Sequence, residues 1–149
     1  MRNNISLVDR SKLLGNKELI DGVKQMEEVK RYRLLCDQMF AADSRVRYAV
    51  VLDEECSIVA GGMRPGVTSI ESREESRRVD LQVVVLLGVI KTWSEVFGPA
   101  SFVLFKHEKV NIIIFPIGNR QLDISTEPDF SFEDIRKLLR ILERWKQAE

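Results

Sequence analysis

The segment best equipped for chemistry is Gly61-Gly62-Met63-Arg64-Pro65-Gly66. Consecutive glycines let backbone N–H groups converge on an anion, and Arg64 adds a fixed positive charge. Arg73, Arg77 and Arg78 follow closely, but Glu71, Glu74, Glu75 and Asp80 offset them. Neither the GxxxxGK phosphate loop nor the GxGxxG dinucleotide fingerprint occurs. Two roles remain open for this segment. It either turns the chain into the next helix, or it contacts a ligand or protein partner through Gly61, Gly62, Met63, Arg64 and Gly66. On the contact reading, Arg64→Ala weakens partner capture and leaves thermal stability unchanged.

The other reactive side chains form no constellation. The single histidine, His107, sits beside Glu108 in a predicted turn, where a proton-transferring pair would be solvated and no Ser or Cys stands as its nucleophile. Cys36 falls on the apolar side of a predicted helix. Cys56 opens a predicted strand, partly exposed, next to Glu54 and Glu55, which disfavour a thiolate. Glu54-Glu55 and Glu74-Glu75 match neither a calcium loop nor a glycosidase pair. Trp93 and Trp145 lie on apolar helical faces and read as core. One histidine and two cysteines cannot build a zinc site from those ligands alone. No catalytic residue, metal or cofactor is expected, and the chain does not read as an enzyme.

Composition narrows the partners. The 149 residues carry 23 Lys plus Arg against 23 Asp plus Glu, without the basic excess that nucleic acid or an anionic membrane demands. With 44% hydrophobic and 31% charged residues, the chain is an ordinary globular one. The longest apolar stretch, Leu81 to Ile90, is half of the roughly 20 residues a membrane span needs. The N-terminus lacks the apolar core of a signal peptide, so a cytoplasmic location is expected.

These residues must be positioned by a small set of elements. Residues 1–16 read as a loosely ordered tail and 17–149 as a single domain. Ile20, Val23, Met26, Val29, Tyr32, Leu35 and Met39 recur in steps of three and four, predicting a helix to about Phe40. Arg45 to Leu52 alternates as a strand, with Val46, Tyr48, Val50 and Leu52 on one face. After a turn at Asp53-Glu54-Glu55, Cys56 to Ala60 returns as its hairpin partner, and Gly61 to Gly66 ends regular structure. Ser72 with Glu75 forms a capping-box pattern that opens a helix running to Phe97, before Gly98-Pro99. Strands follow at about 101–106, 110–116 and 120–126. A last helix, capped by Ser131 with Asp134, closes the chain. The order α-β-β-α-β-β-β-α predicts an α+β fold, a five-stranded antiparallel sheet with helices on its faces.

That succession resembles the Roadblock/longin type of profilin-like fold. The run from Arg47-Tyr48-Ala49-Val50 to Ile58-Val59-Ala60-Gly61-Gly62-Met63-Arg64-Pro65-Gly66-Val67, with Phe115-Pro116-Ile117-Gly118 and Ile124-Ser125-Thr126-Glu127-Pro128, is similar to small archaeal proteins that bring no established activity. The Roadblock resemblance implies a homodimer that acts as a scaffold or regulator of a small GTPase.

The helix from Ser72 carries two apolar stripes, one through Val79, Val83, Leu86, Ile90, Trp93 and Phe97, the other through Leu81, Val85, Val89 and Val96. A sheet covers one stripe. The second must pack on another helix or on its own copy. On the dimer reading, Leu81, Val85, Val89 and the edge-strand residues Phe102 and Leu104 form the interface. A reading of a different class is a profilin- or PAS-like small-molecule sensor, with its ligand between sheet and helix near Tyr48, Phe105 and Phe115.

Overall fold

The structure, a computed structural model, describes residues 7–148. Helix α1 (Leu7–Ala42) leads into the hairpin of β1 (Val46–Leu52) and β2 (Ile58–Met63). Helix α2 (Arg73–Thr92) and the single turn α3 (Ser94–Phe97) follow, then β3 (Val103–Lys106), β4 (Asn111–Ile117), β5 (Arg120–Thr126) and α4 (Phe132–Gln147). The five strands make one antiparallel sheet in the order β2-β1-β5-β4-β3.

Several boundaries differ from those expected. α1 begins at Leu7 and not at Lys17, so residues 7–16 of the expected tail are helical, and residues 1–6 lie outside the described residues. β2 runs on through Gly61, Gly62 and Met63, because each pairs with β1, at Val50, Ala49 and Tyr48 respectively. The helix expected to reach Phe97 breaks at Trp93, giving α2 and the turn α3. β4 holds Pro116, as expected, and runs one residue beyond it to Ile117. β3 pairs with β4 no further than Ile114, so Pro116 has no β3 neighbour whose ladder its missing N–H would interrupt.

Both capping boxes form. Ser72 Oγ accepts from the Glu75 amide and Glu75 Oε2 accepts from the Ser72 amide, with the same reciprocal pair at Ser131 and Asp134.

The sheet is sandwiched, and its two faces are covered unequally. On one face, Tyr32, Leu35 and Met39 of α1 and Ile135, Leu138, Leu142 and Trp145 of α4 pack on Ala49, Val51, Ile113, Phe115, Leu122 and Ile124. Tyr32 and Trp145 meet at 5.3 Å between ring centroids, and Trp145 Nε1 donates to the Arg31 carbonyl. Val46 also joins this face, opposite to Tyr48, Val50 and Leu52, because the β1–β5 register shifts between Val46 and Tyr48. On the other face, α2 contributes only two buried residues, Val83 and Leu87, which rest on Ile114 among Val103, Phe105 and Ile112. One face is a full core. The other is thinly held.

Candidate functional site

Arg64 turns inward. Its Nε donates to the Val46 carbonyl at 2.6 Å, and Nη2 donates to the carbonyls of Phe40 and Asp43, each at 2.7 Å. The Phe40 and Asp43 carbonyls lie at the C-terminal end of α1, where helix carbonyls lack partners and a cation is favoured, and the Val46 carbonyl opens β1. Asp43 is itself a junction. Its carboxylate accepts from the Arg45 amide and guanidinium and from Lys137 Nζ of α4, and the Arg45 hydrogen bonds hold it well below the usual carboxylate range. Arg64 is therefore a staple between β2 and the end of α1, its guanidinium turned to backbone carbonyls of its own chain. The expectation that its removal leaves stability unchanged is corrected accordingly. Arg64→Ala should lower unfolding free energy by about 3 kcal/mol in urea titration, since three carbonyls lose a charged donor. Arg64→Lys should recover part of that loss, because one ammonium cannot reproduce the planar fork.

The two parts of the expected dimer surface sit apart. Leu81, Val85 and Val89 point away from the sheet on successive turns of α2 and are 51–61% exposed. Leu86, Trp93, Val96 and Phe97 extend this apolar surface, with Phe97 81% exposed. Trp93, expected in the core, is thus on the surface, whereas Trp145 is buried as expected. Phe102 and Leu104 are half-buried on the opposite face of the sheet, where Phe102 lies 6.2 Å from Phe115 between ring centroids. β3 is nevertheless an edge strand, paired only with β4, and α2 lies over that same edge.

His107 is exposed in the β3–β4 turn, as expected. Both cysteines are buried and free. Burial pushes the Cys36 thiol up to about 12. Cys56, expected to be partly exposed at the start of a strand, lies instead in the turn before β2 with φ of 63°. It packs against Val50 and Leu52, its carbonyl accepts from Arg77 Nη1, and burial raises its thiol too.

A cleft of about 690 Å³ opens between the N-terminal half of α2 and the sheet. Its walls include Tyr48, Ile58, Met63, Val79, Val83 and Ile112, and two carboxylates, Asp80 of α2 and Asp123 of β5, lie along it. Of the sensor reading's three aromatics, Tyr48 lines this cleft, Phe105 packs further along under α2, and Phe115 is buried on the other face. Asp123 was missed from sequence, although a charge inside the apolar strand Leu122-Asp123-Ile124 is a legible signal of a purposeful position. It is 4% exposed and accepts one hydrogen bond, from Gln121 Nε2 at 2.7 Å. Burial, with a contribution from Asp80, raises its pKa to about 7, while Asp80 itself is raised to about 6 by burial and Glu71.

The raised pKa of Asp123 has a definite sign for stability. An unfolded aspartate ionises near pH 4, so the folded state holds a proton between that value and about 7. Its contribution is full below pH 4 and is lost as pH rises through 7. Asp123→Asn should therefore match the wild type only at pH 4 and below, gain on it as pH rises, and exceed it by about 2–4 kcal/mol at pH 8, in urea titrations. A pH-independent difference would contradict this account.

No protein-family model matches the chain, and no curated protein sequence does. Solved structures do. MglB from Myxococcus xanthus superimposes with a TM-score of 0.59 at 12% identity, over 82% of this chain and 92% of that one. The gliding protein MglB of Thermus thermophilus gives 0.61 at 9% identity, over 80% and 91%. A Roadblock/LC7 domain from Streptomyces avermitilis gives 0.57 at 8% identity, over 78% and 92%. The α+β architecture expected from the order of elements is thus found, and it is the fold of Roadblock domains.

Proposed function

We propose that the protein is a homodimeric, non-enzymatic regulator or scaffold that presents a surface to a small GTPase. The observation that carries the dimer is the apolar face of α2 and α3, uncovered in the single chain and lying over an unpaired sheet edge. A two-fold axis beside β3 would continue the sheet across the two copies and lay the two α2 helices together, closing both liabilities with one self-complementary contact. Of the two coverings open to the second stripe, packing on α1 or α4 does not apply, because both helices lie on the other face of the sheet. The Roadblock fold supports the regulatory role, and a relative of that fold is described as MglB with tetrameric arrangement.

Two measurements test the reading separately. Native mass spectrometry at tens of micromolar should show a dimer, and a clean monomer overturns that part. Biolayer interferometry against a small GTPase from the same organism, loaded with GDP or with a non-hydrolysable GTP analogue, should show binding that depends on the nucleotide. Absent or nucleotide-independent binding overturns the regulatory part.

A further inference from the structure

We infer that the cleft between α2 and the sheet is a binding site for a small organic cation with an apolar body, its ammonium or amidinium group seated against Asp123 and Asp80. Protein interiors are close-packed, so about 690 Å³ of open space between a helix and the sheet it covers is a shaped feature and falls in the size range of small-ligand sites. Most of its wall is side-chain hydrocarbon from Ile58, Met63, Val79, Val83 and Ile112. That wall suits an alkyl or aryl body.

The polar groups set the sign of the ligand's charge. One oxygen of Asp123 is held by Gln121 Nε2. Among the described residues the other has no hydrogen-bond partner, although the residue is 96% buried by the measure of its 4% exposure and lines the cleft. That oxygen opens onto the cleft, so a ligand's N–H there would replace water against an otherwise enclosed carboxylate. Of the three arginines along the cleft, Arg73 is exposed at the start of α2 and the other two are engaged. Arg47 is bound to Glu127 Oε1 at 2.6 Å and to the Thr68 carbonyl, and Arg77 to the Cys56 carbonyl. The field at the floor is negative, since Asp80, Asp123 and Glu71 all add to burial in raising the Tyr48 hydroxyl. A divalent metal is the poorer fit, because no three His, Cys, Asp or Glu side chains cluster in ligating range among the described residues.

The test uses the intact protein in phosphate buffer at pH 8 and a panel of primary amines from n-hexylamine to 2-phenylethylamine, each against its alcohol. Isothermal titration should show at least one amine binding ten-fold or more tightly than its alcohol. Asp123→Asn should remove that preference and leave alcohol binding in place. Asp80→Asn, on the other wall, should weaken the amine several-fold. A Val79→Phe variant that fills the cleft should weaken amine and alcohol alike. Equal affinity for amines and alcohols, no binding across the panel, or an amine preference that survives Asp123→Asn overturns the inference.

Discussion

Gly61→Ala should remove about 3–5 kcal/mol of unfolding free energy, a large share of the roughly 5–15 kcal/mol that holds a domain of this size together. Gly61 has φ of 96°, which an L side chain rarely adopts, and that alone costs about 1–2 kcal/mol. Space is the larger problem. A Cβ here would stand 2.1 Å from the Ala49 carbonyl oxygen and 2.9 Å from both Val50 Cα and Cys36 Sγ. Two of those atoms are backbone of β1, held in the centre of the sheet by β2 and β5, and cannot retreat. Cys36 is fully enclosed in α1. Relief therefore requires β2 to lift from β1 or α1 to lift from the sheet. Guanidinium titration should show a much lower midpoint. Gly22→Ala is the control, since Gly22 lies within α1 with nothing within 4 Å, and alanine there should stabilise by about 0.5–1 kcal/mol. A mild effect at Gly61 would mean that the α1–β2 contact is softer than the geometry shows.

Val85→Glu combined with Val89→Glu should convert a dimer into a monomer, raising the dissociation constant at least 100-fold, about 2.7 kcal/mol. Both side chains are more than half exposed in the single chain, at 61% and 51%, so the fold of the protomer has no need of them. On the proposed axis each faces its counterpart, and two carboxylates would be buried against two more without partners. Sedimentation velocity on both proteins reads the change, with circular dichroism to verify that the variant is folded. A variant that remains dimeric would place the interface on a different face. The paired charges also distinguish assembly from packing, because a stripe covered inside the chain would lose its fold and not its oligomeric state.

The elements were legible because their signals are local. The stripe from Tyr32 to Met39, the two Ser-capped helix starts and the alternation of β1 each depend on neighbours within a few positions. What escaped depends on distance in sequence. Arg64 looks like a free charge in a glycine-rich loop until the end of α1, more than 20 residues upstream, is seen to supply its acceptors. Val46 reads as a neighbour of Tyr48 by alternation, and only the irregular β1–β5 pairing sends it to the other face. Trp93 reads as core because periodicity marks an apolar stripe without saying whether the chain itself covers it. The cleft has no sequence signal as a volume. Its one legible trace is Asp123, an ionisable residue amid apolar neighbours.

α1 is 36 residues long, about 54 Å, and among its described side chains the buried ones all lie near its C-terminal end. Tyr32, Leu35, Cys36 and Met39 are buried, whereas from Gly15 to Glu27 every position except Gly22 is exposed. The ion pair between Glu28 and Arg120 of β5, at 2.6 Å, stands at the junction. A helical stretch without tertiary contacts is marginal in water, so its amides open at almost no free-energy cost, while those near Met39 open only with the whole domain. Along a single run of hydrogen bonds the molecule therefore passes from weakly to strongly protected backbone. α1 is one element by geometry and two by energy, and the exposed half is free to lose or regain its turns while the sheet beneath the other half stays as it is.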